Sequence, residues 1–319
     1  MTPKNIAVIG AGTMGHGIAQ SFALAGYTVT LTDNNHEILE QAVPRIKGNL
    51  QIQVAHGFAT QDEAEAVPSR ITTIPSIAGA VEEADFIVEA VFEDMGTKHQ
   101  VLSQIELNCP SHSIIASNSS SFRVRDMAVV LDRPALFLGN HWWNPPYLIP
   151  LVEVICGEQT SRETIETTRN LLKTIGKYPA LVRKDVAGFV GNRLQHALRR
   201  EAIALVADGV ATPEDVDLIA RLGFGLRLPI VGPLETADLG GLDLTLAIQS
   251  YLLSDLDRST EPSQFVRDKV IQGELGAKTG QGFFEWPPGR QTAVIQKRDK
   301  AILELVKWLT DRGYIYPEE

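Results

Sequence analysis

The run Ile6-Ala7-Val8-Ile9-Gly10-Ala11-Gly12-Thr13-Met14-Gly15 decides the fold class. Four apolar residues make a short strand, and three glycines at Gly-x-Gly-x-x-Gly spacing make the turn. A helical pattern follows, with Met14, Ile18, Phe22 and Ala25 on one face and Gly26 placed to end it. In that setting Gly10 admits the tight turn, Gly12 lets the backbone approach a pyrophosphate, and Gly15 lets the helix pack near the strand. Thr13 and Met14 complete a loop whose free amides, at the helix start, favour phosphate charge. A second strand over 27–32 leads to Asp33, 23 positions after Gly10, where a carboxylate takes both hydroxyls of an adenosine ribose. Asn34, Asn35 and His36 follow, and no Lys or Arg stands before Arg45 to meet a 2′-phosphate. The reading is NAD rather than NADP.

Outward from this unit, apolar runs at 86–90, 114–117, 136–140 and 151–155 read as further strands, mostly bounded by Gly, Pro, Asn or Asp. Strand, helix and strand within about thirty residues form a right-handed parallel unit, so the first half is expected to be an α/β, Rossmann-type doubly wound sheet. After about Lys184 the pattern turns helical. Val190, Leu194, Leu198, Ala202 and Leu205 recur at helical spacing, and Thr212-Pro213-Glu214-Asp215 is a helix start. Helices are also expected over 242–253, 262–272 and 292–310. The expected division is a dinucleotide-binding domain over 1–186 and an all-α C-terminal domain over 187–319.

The 319 residues carry 29 Lys and Arg against 39 Asp and Glu, a net charge of −10, which argues against a nucleic-acid partner. Cys109 and Cys156 show no Cys-x-x-Cys spacing and no zinc-type Cys/His cluster, so reduced thiols and no metal are expected. No run approaches the roughly 18 apolar residues of a membrane span, and the first residues lead straight into a strand rather than a signal peptide. A cytoplasmic protein with no membrane contact is the expectation.

Asn140-His141-Trp142-Trp143-Asn144-Pro145-Pro146 leaves the strand at 136–140 and enters a proline-stiffened turn. Twelve residues beyond His141, Glu153 lies inside the apolar run Leu151-Val152-Glu153-Val154-Ile155, where a carboxylate is costly to bury without a partner. His141, across the turn, is a natural partner. The pairing would orient the imidazole and stabilise its protonated form, as a general base for an alcohol proton requires. Ser117-Asn118-Ser119-Ser120-Ser121 follows the strand at 114–117, where open parallel sheets bind ligands, and its serines equally suit a cap for the next helix. At least one of Trp142 and Trp143 is expected in the core, and Trp143 is a candidate pocket wall.

Eight segments now carry a resemblance: the Gly10 loop; Glu89-Ala90-Val91-Phe92-Glu93 with Lys98; Ser117-Asn118-Ser119-Ser120; His141-Trp142-Trp143-Asn144-Pro145; Leu151-Val152-Glu153-Val154; Gly188-Phe189-Val190-Gly191-Asn192-Arg193; Gly232-Pro233-Leu234-Glu235; and Lys278-Thr279-Gly280-Gln281-Gly282-Phe283-Phe284. In order and spacing they resemble the L-3-hydroxyacyl-CoA dehydrogenase family over nearly the whole chain. The resemblance implies that His141 is the general base, that Glu153 orients it, and that Ser120 and Asn192 hydrogen-bond the reacting oxygen. It implies that Glu93 and Lys98 lie near the nicotinamide ribose and ring, with Ala90, Val91 and Asn118 among the cofactor-binding positions. It further implies a helical C-terminal domain that binds substrate and forms a homodimer. The reaction implied is oxidation of the 3-hydroxyl of a 3-hydroxyacyl-CoA to the 3-oxo form, as in fatty acid metabolism.

Two segments depart from that pattern. Family members that use coenzyme A often carry lysines in the helix and turn after the second strand, and residues 49–58 contain no Lys or Arg. The loop Gly223-Phe224-Gly225-Leu226-Arg227-Leu228-Pro229-Ile230-Val231-Gly232-Pro233 is longer than the usual CoA-type loop and is similar to that of relatives that act on small free acids, such as L-gulonate or carnitine. The Trp-bearing turn resembles that of a pyridine-carboxylate dehydrogenase. Arg227 is then a candidate clamp for a substrate carboxylate. Motif order favours a CoA thioester, and the lysine-poor turn favours a free acid or an aldehyde of one. A structural role, as in the family's lens-crystallin relatives, is opposed by the intact His141, Glu153, Ser120 and Asn192 set.

Overall fold

The glycine loop lies between a first strand β1 (Asn5–Ile9) and a first helix α1 (Gly15–Leu24). The structure is a computed structural model and describes residues 3–315. Along the chain follow β2 (Thr28–Thr32), α2 (His36–Ala55), α3 (Gln61–Ala66), β3 (Ile71–Thr73), α4 (Ile77–Val81) and β4 (Phe86–Glu89). Then come α5 (Met95–Asn108), β5 (Ile114–Ser117), α6 (Val124–Ala128), β6 (Phe137–Trp142), β7 (Leu151–Ile155), α7 (Arg162–Thr174) and β8 (Tyr178–Val182). This unit of the chain ends at Asn192.

All eight strands join one sheet in the order β3-β2-β1-β4-β5-β6-β7-β8. Pairing is parallel throughout, except that β6 and β7 run antiparallel. The order reverses between β1 and β4, which is the point beyond whose carboxyl ends an open α/β sheet binds its ligand. Register sets Ile9 beside Glu89, Glu89 beside Ser117, and Ser117 beside Gly139, so β1, β4 and β5 end together there while β6 runs three residues further. One face packs Ile18 and Phe22 of α1 against Val8, Leu138, Trp142 and Val154. The other gathers Ile9, Ile87, Ile115, Phe137 and Ile155 with Phe189.

Three local expectations need correction. β6 continues through Trp142, so His141 lies inside a strand and not in the turn after it. All six β6 residues are buried, which removes the alternation that would have marked its end. α1 begins at Gly15, which leaves Met14 at the cap position and Ala25 exposed past its end, while Gly26 adopts φ +96° to terminate it. β3 and β8 lie outside the expected strands.

The second unit begins at Arg193, within α8 (Gly191–Ala207), and continues with α9 (Pro213–Leu222), α10 (Pro233–Gly240), α11 (Leu242–Leu252), α12 (Gln264–Ile271) and α13 (Arg290–Asp311). It is helical, as the change of pattern predicts. Thr212 caps α9, its hydroxyl accepting the Asp215 amide at 3.1 Å with Pro213 at the first position. None of the residues of α8 to α12 is buried, and Leu194, Leu198, Leu234, Leu242, Leu246 and Ile271 are exposed.

Candidate functional site

At the end of β1, Gly10 adopts φ +102° and lies against the end of β4: a Cβ there would stand 2.5 Å from the Ala90 carbonyl oxygen. A Cβ on Gly15 would stand 1.7 Å from the Gly10 oxygen, so only glycine lets α1 start this close to the turn. Gly12 is different, because a Cβ there meets nothing within 4 Å. Among the described residues the amides of Gly12, Thr13 and Met14 have no protein acceptor, at the positive end of the α1 dipole. Asp33 is aimed by its own loop, accepting the Ala11 amide at 2.7 Å and the Asn35 amide at 2.9 Å. Open space, free donors and an oriented carboxylate fit an adenine dinucleotide.

β4 and β5 carry a second set of groups. Glu89 is fully buried and accepts from the Val91 amide at 2.8 Å, Lys98 Nζ at 2.8 Å and the Ser117 hydroxyl at 2.5 Å. Lys98, itself 1% exposed, also reaches Glu93 at 3.3 Å. Glu93 Oε1 accepts from the Ser119 hydroxyl at 2.7 Å, the Ser121 hydroxyl at 2.9 Å, and the Ser120 and Ser121 amides at 3.0 Å. Burial would raise the Glu93 carboxyl, but the serine hydrogen bonds and the Lys98 charge outweigh it and hold the group below the usual carboxylate range. The serine run is therefore tied to two carboxylates. It does not cap α6, whose first amides, at Val124 and Arg125, donate to Asp185. Asn118 Oδ1 accepts the Trp142 amide at 2.9 Å and ties the end of β5 to β6.

His141 and Glu153 are direct cross-strand partners in the antiparallel β6–β7 pair. His141 Nδ1 lies 2.8 Å from Glu153 Oε2, and both side chains are at most 5% exposed. Glu153 Oε1 accepts the Val190 and Gly191 amides at 3.1 and 3.0 Å, at the start of α8. Burial would raise the Glu153 carboxyl, but the hydrogen bonds from His141, Gly191 and Val190 hold it below the usual range. A carboxylate on Nδ1 leaves Nε2 as the imidazole nitrogen open to a ligand. The rings of Trp143 and Phe189 flank the imidazole at 5.2 and 5.7 Å. Trp143 fits because residue 191 is glycine: a Cβ there would stand 2.2 Å from the indole. Trp142 is the core tryptophan, 5.9 Å from the Phe22 ring.

Asn192 donates its side-chain amide to the Ser120 carbonyl at 2.7 Å, and among the described residues the Ser120 hydroxyl has no partner. Arg227 lies in the helical unit, where it is exposed. Sequence reasoning gave no role to Glu89, Ser117, Ser119, Phe189 or Gly191, which hold the predicted groups in place. Their signal was the paired glycines of Gly188-Phe189-Val190-Gly191 and an acid, Glu89, ending an apolar strand.

The family model described as 3-hydroxyacyl-CoA dehydrogenase, NAD binding domain, matches residues 5–186, and that of the same family's C-terminal domain matches residues 188–286. The chain belongs to the 3-hydroxyacyl-CoA dehydrogenase family. It is accordingly an NAD-dependent oxidoreductase. A 5-formyl-3-hydroxy-2-methylpyridine 4-carboxylate 5-dehydrogenase of Mesorhizobium japonicum is 34% identical over 309 residues, covering 97% of this chain and 99% of the relative. A probable 3-hydroxybutyryl-CoA dehydrogenase of Bacillus subtilis is 39% identical over 287 residues, covering 90% and 98%. Among solved structures, a pyridine-carboxylate dehydrogenase of the first kind, described as an NAD+ dependent dismutase, superposes with a TM-score of 0.91 at 34% identity, covering 96% of this chain and 98% of that one. The (S)-3-hydroxybutyryl-CoA dehydrogenase of Ralstonia eutropha gives 0.75 at 34% identity, covering 89% and 99%. No helix among the described residues is long and apolar enough to cross a membrane.

Proposed function

We propose that the protein oxidises a hydroxyl group, or the hydrate of an aldehyde, on a small free carboxylic acid, with His141 as the general base. The observation that carries the chemistry is the buried His141–Glu153 pair, whose uncommitted Nε2 belongs to the strand beside the serine loop. His141 Nε2 takes the hydroxyl proton as the hydride leaves the carbinol carbon. Bound NAD supplies the hydride acceptor. Glu153, which also accepts the Val190 and Gly191 amides, stabilises the imidazolium that results. Ser120 offers its hydroxyl to the reacting oxygen, and Asn192 holds Ser120 in place. Asp33 takes the adenosine ribose, while Glu93 and Lys98 shape the nicotinamide side with Ala90, Val91 and Asn118.

Two observations support a free acid over the CoA thioester that motif order favours. Residues 49–58 carry no Lys or Arg, and two of their three side-chain amides are committed within the fold: Asn49 donates to Gln20 at 3.1 Å and Gln53 to the Tyr147 carbonyl at 3.1 Å. The superposition on the pyridine-carboxylate dehydrogenase, with a TM-score of 0.91, is better than that on the 3-hydroxybutyryl-CoA dehydrogenase, with 0.75, at the same 34% identity. Arg227 is the proposed partner of the substrate carboxylate. The exposed leucines of α8, α10 and α11 support a homodimer through the helical unit; a monomer by light scattering at micromolar concentration would exclude it. A cytoplasmic location belongs to the same proposal.

The test is NADH absorbance against two substrate sets, one of acetoacetyl-CoA and 3-hydroxybutyryl-CoA, the other of L-gulonate, carnitine, 3-hydroxybutyrate and pyridine carboxaldehydes bearing a carboxylate. Turnover is expected in the second set alone. Fast CoA turnover would overturn the substrate assignment and leave the base untouched. His141→Ala should lower kcat by about a thousandfold or more with NAD affinity unchanged; retained turnover would remove His141 from the mechanism.

A further inference from the structure

Lys177, just before β8, is buried, and among the described residues no carboxylate pairs with it. Its Nζ donates to the carbonyl oxygens of Pro146 at 2.6 Å and Ile149 at 2.9 Å, and lies 5.3 Å from the centre of the Trp142 ring. Burial pushes this ammonium down to about 7. A cation so placed loses hydration and gains no opposite charge, so an apolar residue would serve the core better unless the donors are needed.

The two acceptors show where the need arises. Both belong to the turn that joins β6 to β7, Trp143-Asn144-Pro145-Pro146-Tyr147-Leu148-Ile149-Pro150, in which three prolines lack amides. Its third inner carbonyl, Tyr147, accepts from Gln53 of α2, whose own Oε1 accepts from Gln20 of α1 at 2.8 Å. Pro146 rests on Gly17 of α1, where a Cβ would come within 2.6 Å of its ring. Lys177 is a firm base for this work: its amide donates to the Leu172 carbonyl at 2.9 Å, and the Tyr178 amide to that of Pro150 at 2.9 Å. The turn begins with Trp143, the ring that walls the His141 imidazole.

We infer that Lys177 is a positioning residue for the His141–Glu153 pair: by pinning the Pro146 and Ile149 carbonyls it fixes the turn that holds Trp143 against the imidazole. The inference rests on the reading of His141 as the base. Its means are donors rather than charge, because a neutral amine keeps two N–H groups for two carbonyls.

The test is steady-state kinetics across pH on Lys177→Met, Lys177→Gln and His141→Ala, using a substrate the parent turns over. Lys177→Met keeps the stem and removes both donors. It should retain NAD affinity within about twofold, lose about tenfold or more in kcat, and displace the acidic limb of the kcat profile by about half a pH unit. Should that variant fail to fold, Lys177→Gln, whose shorter amide reaches at most one of the two carbonyls, is expected to show about a threefold loss with the same displaced limb. A folded Lys177→Met or Lys177→Gln with parental kcat and an unmoved limb overturns the inference. If His141→Ala retains turnover, the base assignment falls instead. An inert His141→Ala beside a fully active Lys177→Met sinks the positioning role alone.

Discussion

Two turns leave strands of the same sheet, and they are built by opposite means. The turn after β1 is shaped by what it lacks: no side chain at Gly10 or Gly15 keeps β4 or α1 at a distance, and the amides of Gly12, Thr13 and Met14 stay open. The turn after β6 is shaped by side chains from elsewhere, with Lys177 and Gln53 closing the carbonyls of Pro146, Tyr147 and Ile149. A turn that binds an anion keeps its donors free, whereas one that must hold an aromatic wall still has its acceptors satisfied. Substitutions in the first should therefore act on the cofactor, and substitutions around the second on catalytic rate.

The largest effect is expected at Gly15. A Cβ 1.7 Å from the Gly10 oxygen meets a backbone carbonyl and cannot be relieved by a rotamer. Gly15→Ala should cost about 3 kcal/mol or more and abolish NAD binding; a thermal midpoint equal to the parent's would break the claim that this turn is set by close approach. Gly12→Ala should be the opposite case, melting like the parent while weakening NAD about tenfold, or about 1.4 kcal/mol by fluorescence titration. Parental affinity there would mean the pyrophosphate passes elsewhere.

No larger, taken one pH unit at a time, is a pH effect on the second turn. Below about 7 the folded and unfolded chains both carry the Lys177 proton, and the full burial penalty is present. Between about 7 and the ordinary 10.5, the unfolded chain binds a proton that the folded chain does not, so stability rises with pH. Relative to Lys177→Met, the parent should gain up to about 1.4 kcal/mol per pH unit across that window in urea unfolding. A difference flat with pH would show that the ammonium is not desolvated.

Much of this was legible in the residues. The glycine turn could be read because its function lies in backbone geometry, which glycine spacing reports directly. His141 and Glu153 could be paired because an acid in an apolar strand needs a partner. What the sequence hid were the supports. Lys177, Gln53 and Gln20 are polar residues of the kind usually found in water, and only the fold turns them inward. β3 is three residues long with two exposed, and β8 carries Pro179, a residue that argues against a strand except at a sheet edge, where β8 lies. The serine run misled for a related reason: Glu89 and Glu93 are stronger partners for hydroxyls than a helix end already served by Asp185.

Reversing β7 against β6 has a consequence for how the chain assembles its chemistry. The His141–Glu153 pair closes a loop of only 12 residues. The contact of Gly10 with Ala90 that sets the cofactor turn spans 80 positions. By the logarithmic scaling of loop closure, the local pair comes about 1.7 kcal/mol cheaper in chain entropy. The half of the site proposed to transfer the proton is thus encoded in one hairpin, and the cofactor half in the topology of the whole sheet.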